Sequence, residues 1–328
     1  MDPIARPCLL LLLASLIHAM PVCPVWCAEP QSNLNPSSEV AEASAKPQVR
    51  VEFSSQFGKQ GAGPEEFLGP FGVHVSQDGL VYVGDDLAHT IKVFRKDGSF
   101  LNTIGGPALF SYLDKVITDA RGRIYVADAG NNKVQVQDPQ GKPLKEIRKW
   151  GLFGGFKNPR YLSFDGSGRL FVADWGSHCI RVFDQNLGFM QTIGRQGAGD
   201  GEFENPIAVA HNSSNWLFVS DFKNHRIQVF DDRGGFLFSF GALGGGPGQL
   251  RNPSGLAFDS RGRLFVAEYG NHRVQVFSAK GESLGAFGRQ GPGPLEFDKP
   301  TDLDFGPDGM LYVAEAGNHR VQVLRVGE

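Results

Sequence analysis

One phrase of fourteen residues constrains this chain more than any other feature. "LFVAEYGNHRVQVF" at 264–277 returns as "LYVAEAGNHRVQVL" at 311–324, and earlier as "LFVSDFKNHRIQVF" (217–230) and "LFVADWGSHCIRVF" (170–183). Looser copies stand at 124–136, "IYVADAGNNKVQV", and 81–94, "VYVGDDLAHTIKVF". The acidic residue of each copy marks the spacing: Asp85, Asp128, Asp174, Asp221, Glu268 and Glu315 follow one another at 43, 46, 47, 47 and 47 residues. Self-similarity at such a period means one supersecondary unit copied and stacked against its neighbours.

Each unit reads as four short strands. In the best copies the first alternates before a turn ("SGLAFDSRGR", 254–263), the second is "LFVAE", the third "RVQVF" and the fourth "SLGAFG". The 43 glycines are spread along the chain, as tight turns between many strands require. Four-stranded units at this period predict an all-β fold, a six-bladed β-propeller of four-stranded antiparallel blades. In the third strand Val274 and Val276 alternate with Arg273 and Gln275, and the polar side is expected to face wet space between diverging outer strands. The last copy stops after its third strand, whereas an unpaired "VRVEFSSQFG" (49–58) precedes the first. Residues 50–57 are therefore expected to pair antiparallel with 320–326, completing the sixth blade and removing an exposed edge.

The segment ahead of the repeats has a different character. Arg6 precedes the apolar run 8–20, which is too short for a stable membrane span, and small residues follow. Residues 1–28 read as a secretory signal peptide cut between Ala19 and Ala28, and 29–48 as a flexible linker rich in Pro, Ser, Ala and Glu. The propeller then occupies 49–328, in an exported protein of the periplasm or extracellular space. Cys8, Cys23 and Cys27 would leave with the leader, so Cys179 has no internal disulfide partner. A formal net charge of −3 argues against a general nucleic-acid binder.

The pattern V-A-D/E-x-G-N-H-R-[VI]-Q-V-F resembles the NHL-repeat family of six-bladed propellers, over about 49–328. Blade 1 departs with Leu87 and Ala88 in place of Gly and Asn, and blade 2 carries Asn132 for His. The resemblance implies a fold and leaves function open, since members bind RNA, bind proteins, sense ligands outside cells or act as a lyase. Relatives of the peptidyl-hydroxyglycine amidating lyase type hold zinc through His residues that follow a proline at the start of first strands. Here those positions are Phe71, Arg160, Ile207, Ser254 and Thr301, with Leu113-Asp114 in blade 2, and none is histidine.

The repeated histidines His89, His178, His225, His272 and His319 occupy one loop position on separate blades. Metal ligands must converge on one point, so symmetric recurrence reads as a structural clasp with the acidic residues Asp85, Asp128, Asp174, Asp221, Glu268 and Glu315. No metal or other cofactor is expected. The Gly-rich segments at 58–67, 194–203, 241–250 and 288–297 lack a P-loop lysine and lead into strands, so they read as inter-blade turns. Lys142, Lys145, Arg148 and Lys149 mark the outer edge of blade 2.

Function is sought where the symmetry breaks. The connections into blades 2 and 3 lack the long Gly-rich turn, which lowers the loop face there. Near that mouth stand Asp114, Lys115, Arg160 and Tyr161, and beside the acidic loop residues stand Trp175, Phe222 and Tyr269. Strand alternation turns Lys115, Tyr161, His74, Asp302 and Asp304 toward the channel, with His74 near the two aspartates because blades 1 and 6 adjoin. The sequence thus favours a non-catalytic binding module for a protein, peptide or glycan on the loop face. An enzyme using the channel, lyase or hydrolase, is the first alternative and RNA binding the second.

Overall fold

The computed structural model describes residues 49–152 and 154–327. The expected leader (1–28) and linker (29–48) lie outside the described residues.

Six four-stranded antiparallel sheets form the expected blades. Their first strands are Pro70–Val75, Leu113–Thr118, Pro159–Phe164, Pro206–His211, Pro253–Phe258 and Pro300–Phe305. Each first strand touches the next, and the sixth touches the first, so the ring closes. Closure is made as the sequence predicts. Val51–Phe57 pairs antiparallel with Arg320–Val326, from Val51 opposite Val326 to Phe57 opposite Val321. Beyond that strand, the Gly327 N–H donates to the Arg50 carbonyl at 2.7 Å.

Inner strands are buried on both faces because each blade is sandwiched by two others; Val81–Asp85, Ile124–Asp128 and Leu264–Glu268 are buried throughout. Between blades 6 and 1, for example, Val73, Val81 and Val83 pack with Tyr312, Ala314, Val321 and Val323 around Phe67 and Phe94. The inter-blade loops carry one fully buried anchor each: Phe67, Phe203, Leu250 and Phe297. Where the long Gly-rich turn is missing, Phe110 takes that place before blade 2. Before blade 3 the strand pair Lys149–Trp150 and Gly154–Gly155 leads to the buried Phe156.

One expectation needs correction. The polar side of the third strands does not face wet space: Gln228, Gln275 and Gln322 are fully buried. Their amides are used up locally, as when Gln275 Nε2 donates to the Gln249 carbonyl (2.9 Å) while its Oε1 accepts from the Gly248 N–H (2.7 Å). The inter-blade loop folds over the strand and supplies the partners that water would otherwise supply.

Candidate functional site

The loops between blades and those between second and third strands share one face of the ring, called the upper face here. The turns after the first strands lie on the lower face. Every first strand runs down the channel wall from upper to lower, so its residues report depth.

At the upper mouth the second position of these strands holds Phe71, Asp114, Arg160, Ile207, Ser254 and Thr301. Arg160 Nε lies 3.3 Å from Asp114 Oδ2 and donates to Asn158 Oδ1 at 3.0 Å. Its guanidinium sits 4.7 Å above the Trp175 ring, with Phe71 and Tyr112 flanking at 5.6 and 5.4 Å. Among the described residues, both Asp114 oxygens are buried without a hydrogen-bond partner. Burial pushes its carboxyl up to about 7, the Arg160 charge opposing and Asp86 and Asp302 adding to the rise. From Trp175 the aromatic rim continues: Trp175 to Phe222 is 5.4 Å between ring centroids, and Phe222 to Tyr269 is 6.2 Å. These rings pack from loop to loop and remain partly exposed.

One layer down, at the third position, Lys115, Tyr161 and Asp302 are committed to one another and nearly inaccessible. Lys115 Nζ donates to Asp302 Oδ2 at 2.6 Å and to the Val73 carbonyl at 2.7 Å. Tyr161 Oη donates to Asp302 Oδ1 at 2.8 Å, and the Val73 N–H reaches Asp302 Oδ2 at 2.9 Å. Burial raises the Asp302 carboxyl despite the opposing Lys115 charge, and burial with the facing carboxylate holds the Tyr161 phenol well above its usual range. The sequence grouped Lys115 and Tyr161 with ligand-binding residues of the mouth. The structure instead uses their polar atoms inside the molecule. Gly72 and Gly255 complete this layer because a Cβ at Gly72 would stand 2.2 Å from the Asp114 carbonyl oxygen, and one at Gly255 2.6 Å from Asp302 Cα.

The lower end is a cavity of about 340 Å³. His74 is fixed on both sides, Nδ1 lying 2.9 Å from Asp304 Oδ2 and Nε2 2.9 Å from Thr118 Oγ1. Asp304 also accepts from the Val75 N–H (2.9 Å) and the Phe305 N–H (2.9 Å). Burial would raise its carboxyl, but the His74 hydrogen bond and charge, with Lys115 and the Val75 N–H, outweigh that and hold it below the ordinary carboxylate range. Ser163 and His211 line the same cavity, with Ser163 Oγ 3.4 Å from His211 Nδ1. Burial pulls the His211 imidazole down to about 4. Thr118, Ser163 and His211 were not legible as site residues in the repeat motif. For Thr118 and His211 the signal lies in the sixth position of the first strand, where they replace the Val75, Phe164, Phe258 and Phe305 of other blades, and Ser163 stands at the fifth, channel-facing position with His74 and Asp304.

The repeated loop residues divide into two devices. Each acidic residue is buried and accepts the N–H of the residue seventeen positions earlier or its neighbour. Examples are Asp85 from Gly69 (2.8 Å), Asp128 from Ser111 (3.1 Å), Asp174 from Lys157 (2.7 Å) and Asp221 from Glu204 (2.8 Å). Glu268 adds Asn271 (2.5 Å), Arg273 (2.6 Å) and Gln275 (3.1 Å); Glu315 does the same with Asn318, Arg320 and Gln322. The histidines serve the next blade instead of this carboxylate clasp. His178, His225 and His272 each accept, through Nδ1, the N–H of a residue 27 positions on: Asn205 at 3.1 Å, Asn252 at 3.0 Å and Lys299 at 3.2 Å. His89 Nδ1 faces the Ser111 carbonyl at 2.7 Å, and His319 Nδ1 is buried with no hydrogen-bond partner among the described residues. Among the described residues, no group of three or more His, Cys, Asp and Glu side chains is placed to hold a metal ion.

Comparison with known proteins places this geometry in a class. Residues 250–277 and 297–324 match the model of the NHL repeat. With that pattern matched on two blades and six four-stranded blades in the ring, the chain carries NHL repeats within a six-bladed β-propeller. Protein brain tumor of Drosophila melanogaster is 25% identical over 151 residues, which is 44% of this chain and only 14% of that relative's length. A streptogramin B lyase structure superposes with a TM-score of 0.60 at 14% identity, covering 87% of this chain and all of the other. Two Bacteroides thetaiotaomicron structures are also similar. A protein of unknown function gives 0.66 at 15% identity, covering 85% and 76% of the two chains, and an auxiliary nutrient binding protein 0.63 at 12%, covering 86% and 78%. Likeness at these identities shows the fold alone.

Proposed function

We propose that this propeller is a binding module whose upper face, across blades 2 to 5, takes a protein or peptide. The observation that carries the reading is the continuous run of Arg160, Trp175, Phe222 and Tyr269, in contact one after another with the rings tilted or edge-on, and partly open to solvent. Aromatic rings and arginine supply large contact area at low entropic cost, and they dominate interface hot spots. The connection into blade 2 is the short one, residues 106–112, whereas the hairpin Lys149–Trp150 with Gly154–Gly155 stands in the connection into blade 3. Four of the NHR-loop histidines, His89, His178, His225 and His272, are engaged in main-chain links between blades and so are not counted among the contact residues. We place the protein outside the cytoplasm on the strength of its leader sequence.

The test is affinity capture of partners by the propeller, comparing wild type with Trp175→Ala and Arg160→Ala. Loss of about 2 kcal/mol or more, roughly thirtyfold in Kd, is expected for Trp175→Ala at such an anchor. Unchanged partners at unchanged affinity for both variants would remove this face from consideration.

A further inference from the structure

The lower cavity brings together a carboxylate, an imidazole and a hydroxyl from three different blades. Asp304 of blade 6 holds His74 Nδ1 of blade 1 at 2.9 Å, and His74 Nε2 stands 2.9 Å from Thr118 Oγ1 of blade 2. With the proton on Nδ1, donated to the carboxylate, Nε2 is free to accept the Thr118 hydroxyl proton. That is the arrangement by which an oriented base activates a weak alcohol nucleophile. The orienting group is itself fixed, since main-chain N–H groups of Val75 and Phe305 each hold an Asp304 oxygen. His74 and Asp304 keep side-chain exposures of 16% and 25%, so the line is open to the cavity.

We infer that Asp304, His74 and Thr118 form a hydrolytic site for small carboxylic esters, at the opposite end of the channel from the binding face. The chemistry balances with ester and water alone. Thr118 Oγ1 bonds to the ester carbonyl carbon as its proton passes to His74 Nε2, and the carbonyl π pair moves to oxygen. That pair returns, the C–O bond to the alcohol breaks, and the leaving alkoxide takes the proton from Nε2. Water then attacks the acyl-Thr118 carbon, giving one proton to Nε2 and, through it, back to Thr118 Oγ1, and the acid departs.

Cavity shape limits the substrate. About 340 Å³ admits only a small ester, near the lower bound for ligand pockets. Ile117, Phe164, Ala210, Ala257 and Phe258 favour an apolar acyl group, and Ser163 offers a hydroxyl to a polar atom. Above, the Lys115–Asp302–Tyr161 layer bars a longer chain from continuing up the channel. The same layer makes this site independent of the upper-face reading, so either can fail without the other.

The purified full chain, given p-nitrophenyl acetate, is expected to release p-nitrophenolate and to carry an acetyl group on Thr118 in peptide mapping of a rapidly quenched sample. Thr118→Val should lower the rate by at least about 100-fold, whereas Thr118→Ser should keep it within about tenfold of wild type. Asp304→Asn should lower it as well, since the imidazole then loses its orienting charge. Thermal unfolding of each variant shows whether the ring is intact. Wild-type release no faster than in Thr118→Val, or an acetyl group found on a lysine or tyrosine and not on Thr118, would overturn the assignment. Peptide mapping of the wild-type protein decides the matter even if a variant does not fold.

Discussion

Asp114 is a carboxyl group without a hydrogen bond, buried against a single guanidinium, and that makes it a pH-dependent weakness. Its folded value of about 7 lies above the ordinary carboxylate value near 3.9, so the folded state binds the extra proton between those limits. Stability from this group is complete below about pH 4 and is lost as pH rises through 7, at about 1.4 kcal/mol per pH unit. Asp114→Asn should therefore raise Tm at pH 8 and change it little at pH 4; equal shifts at both would contradict the assignment. At this scale the sequence was legible where backbone conformation dictates residue type. His89, Asn132, His178, His225, His272 and His319 all have φ between 52° and 57°, the left-handed region that Asn and His tolerate better than most residues. That explains why blade 2 can carry Asn132. It does not reveal where the imidazole points, because the link to the next blade depends on a main-chain N–H 27 residues away.

Within a blade, the strand-to-loop junction is the unit that holds. Glu268 gathers one main-chain N–H and three side-chain donors at a position with no solvent exposure. Arg273 then continues to the carbonyls of Gly245, Gly246 and Gln249, pinning the inter-blade loop. Glu268→Ala leaves the buried end of Arg273 and the Gln275 amide without their acceptor. It should cost about 3–5 kcal/mol in denaturant unfolding, far above a surface substitution. The acidic position was legible as a clasp because it recurs in every copy. The Gln of the third strand was misplaced because alternation alone shows which residues share a side and not what covers that side. Here the covering is a Gly-rich loop from the previous blade connection. The channel residues were partly legible. Adjacency of blades 1 and 6 brought His74 to Asp304, but Thr118 and His211 sit outside the repeat phrase, at the strand's last position.

For the ring as a whole, closure by Val51–Phe57 was readable from a missing fourth strand at one end and a spare one at the other. Removing residues 49–57 should expose the Arg320–Val326 edge and also remove Gln56, which accepts from Arg320 at 2.7 Å. The expected outcome is fast amide exchange over 320–326 and association on size-exclusion chromatography; a monomer with unchanged protection would show that the ring closes without it. In a stacked repeat each unit ordinarily senses only its two neighbours, so strain in one blade has to travel around the circumference. The Tyr161–Asp302 bond joins blade 3 to blade 6, which lie across a diameter, and Lys115 adds a second strut from blade 2. Such a cross-tie opposes squeezing the circle into an oval. A load taken up by the upper rim of blade 3 is thereby shared at once with the seam blade on the far side, and the wheel answers as a spoked body instead of a hoop.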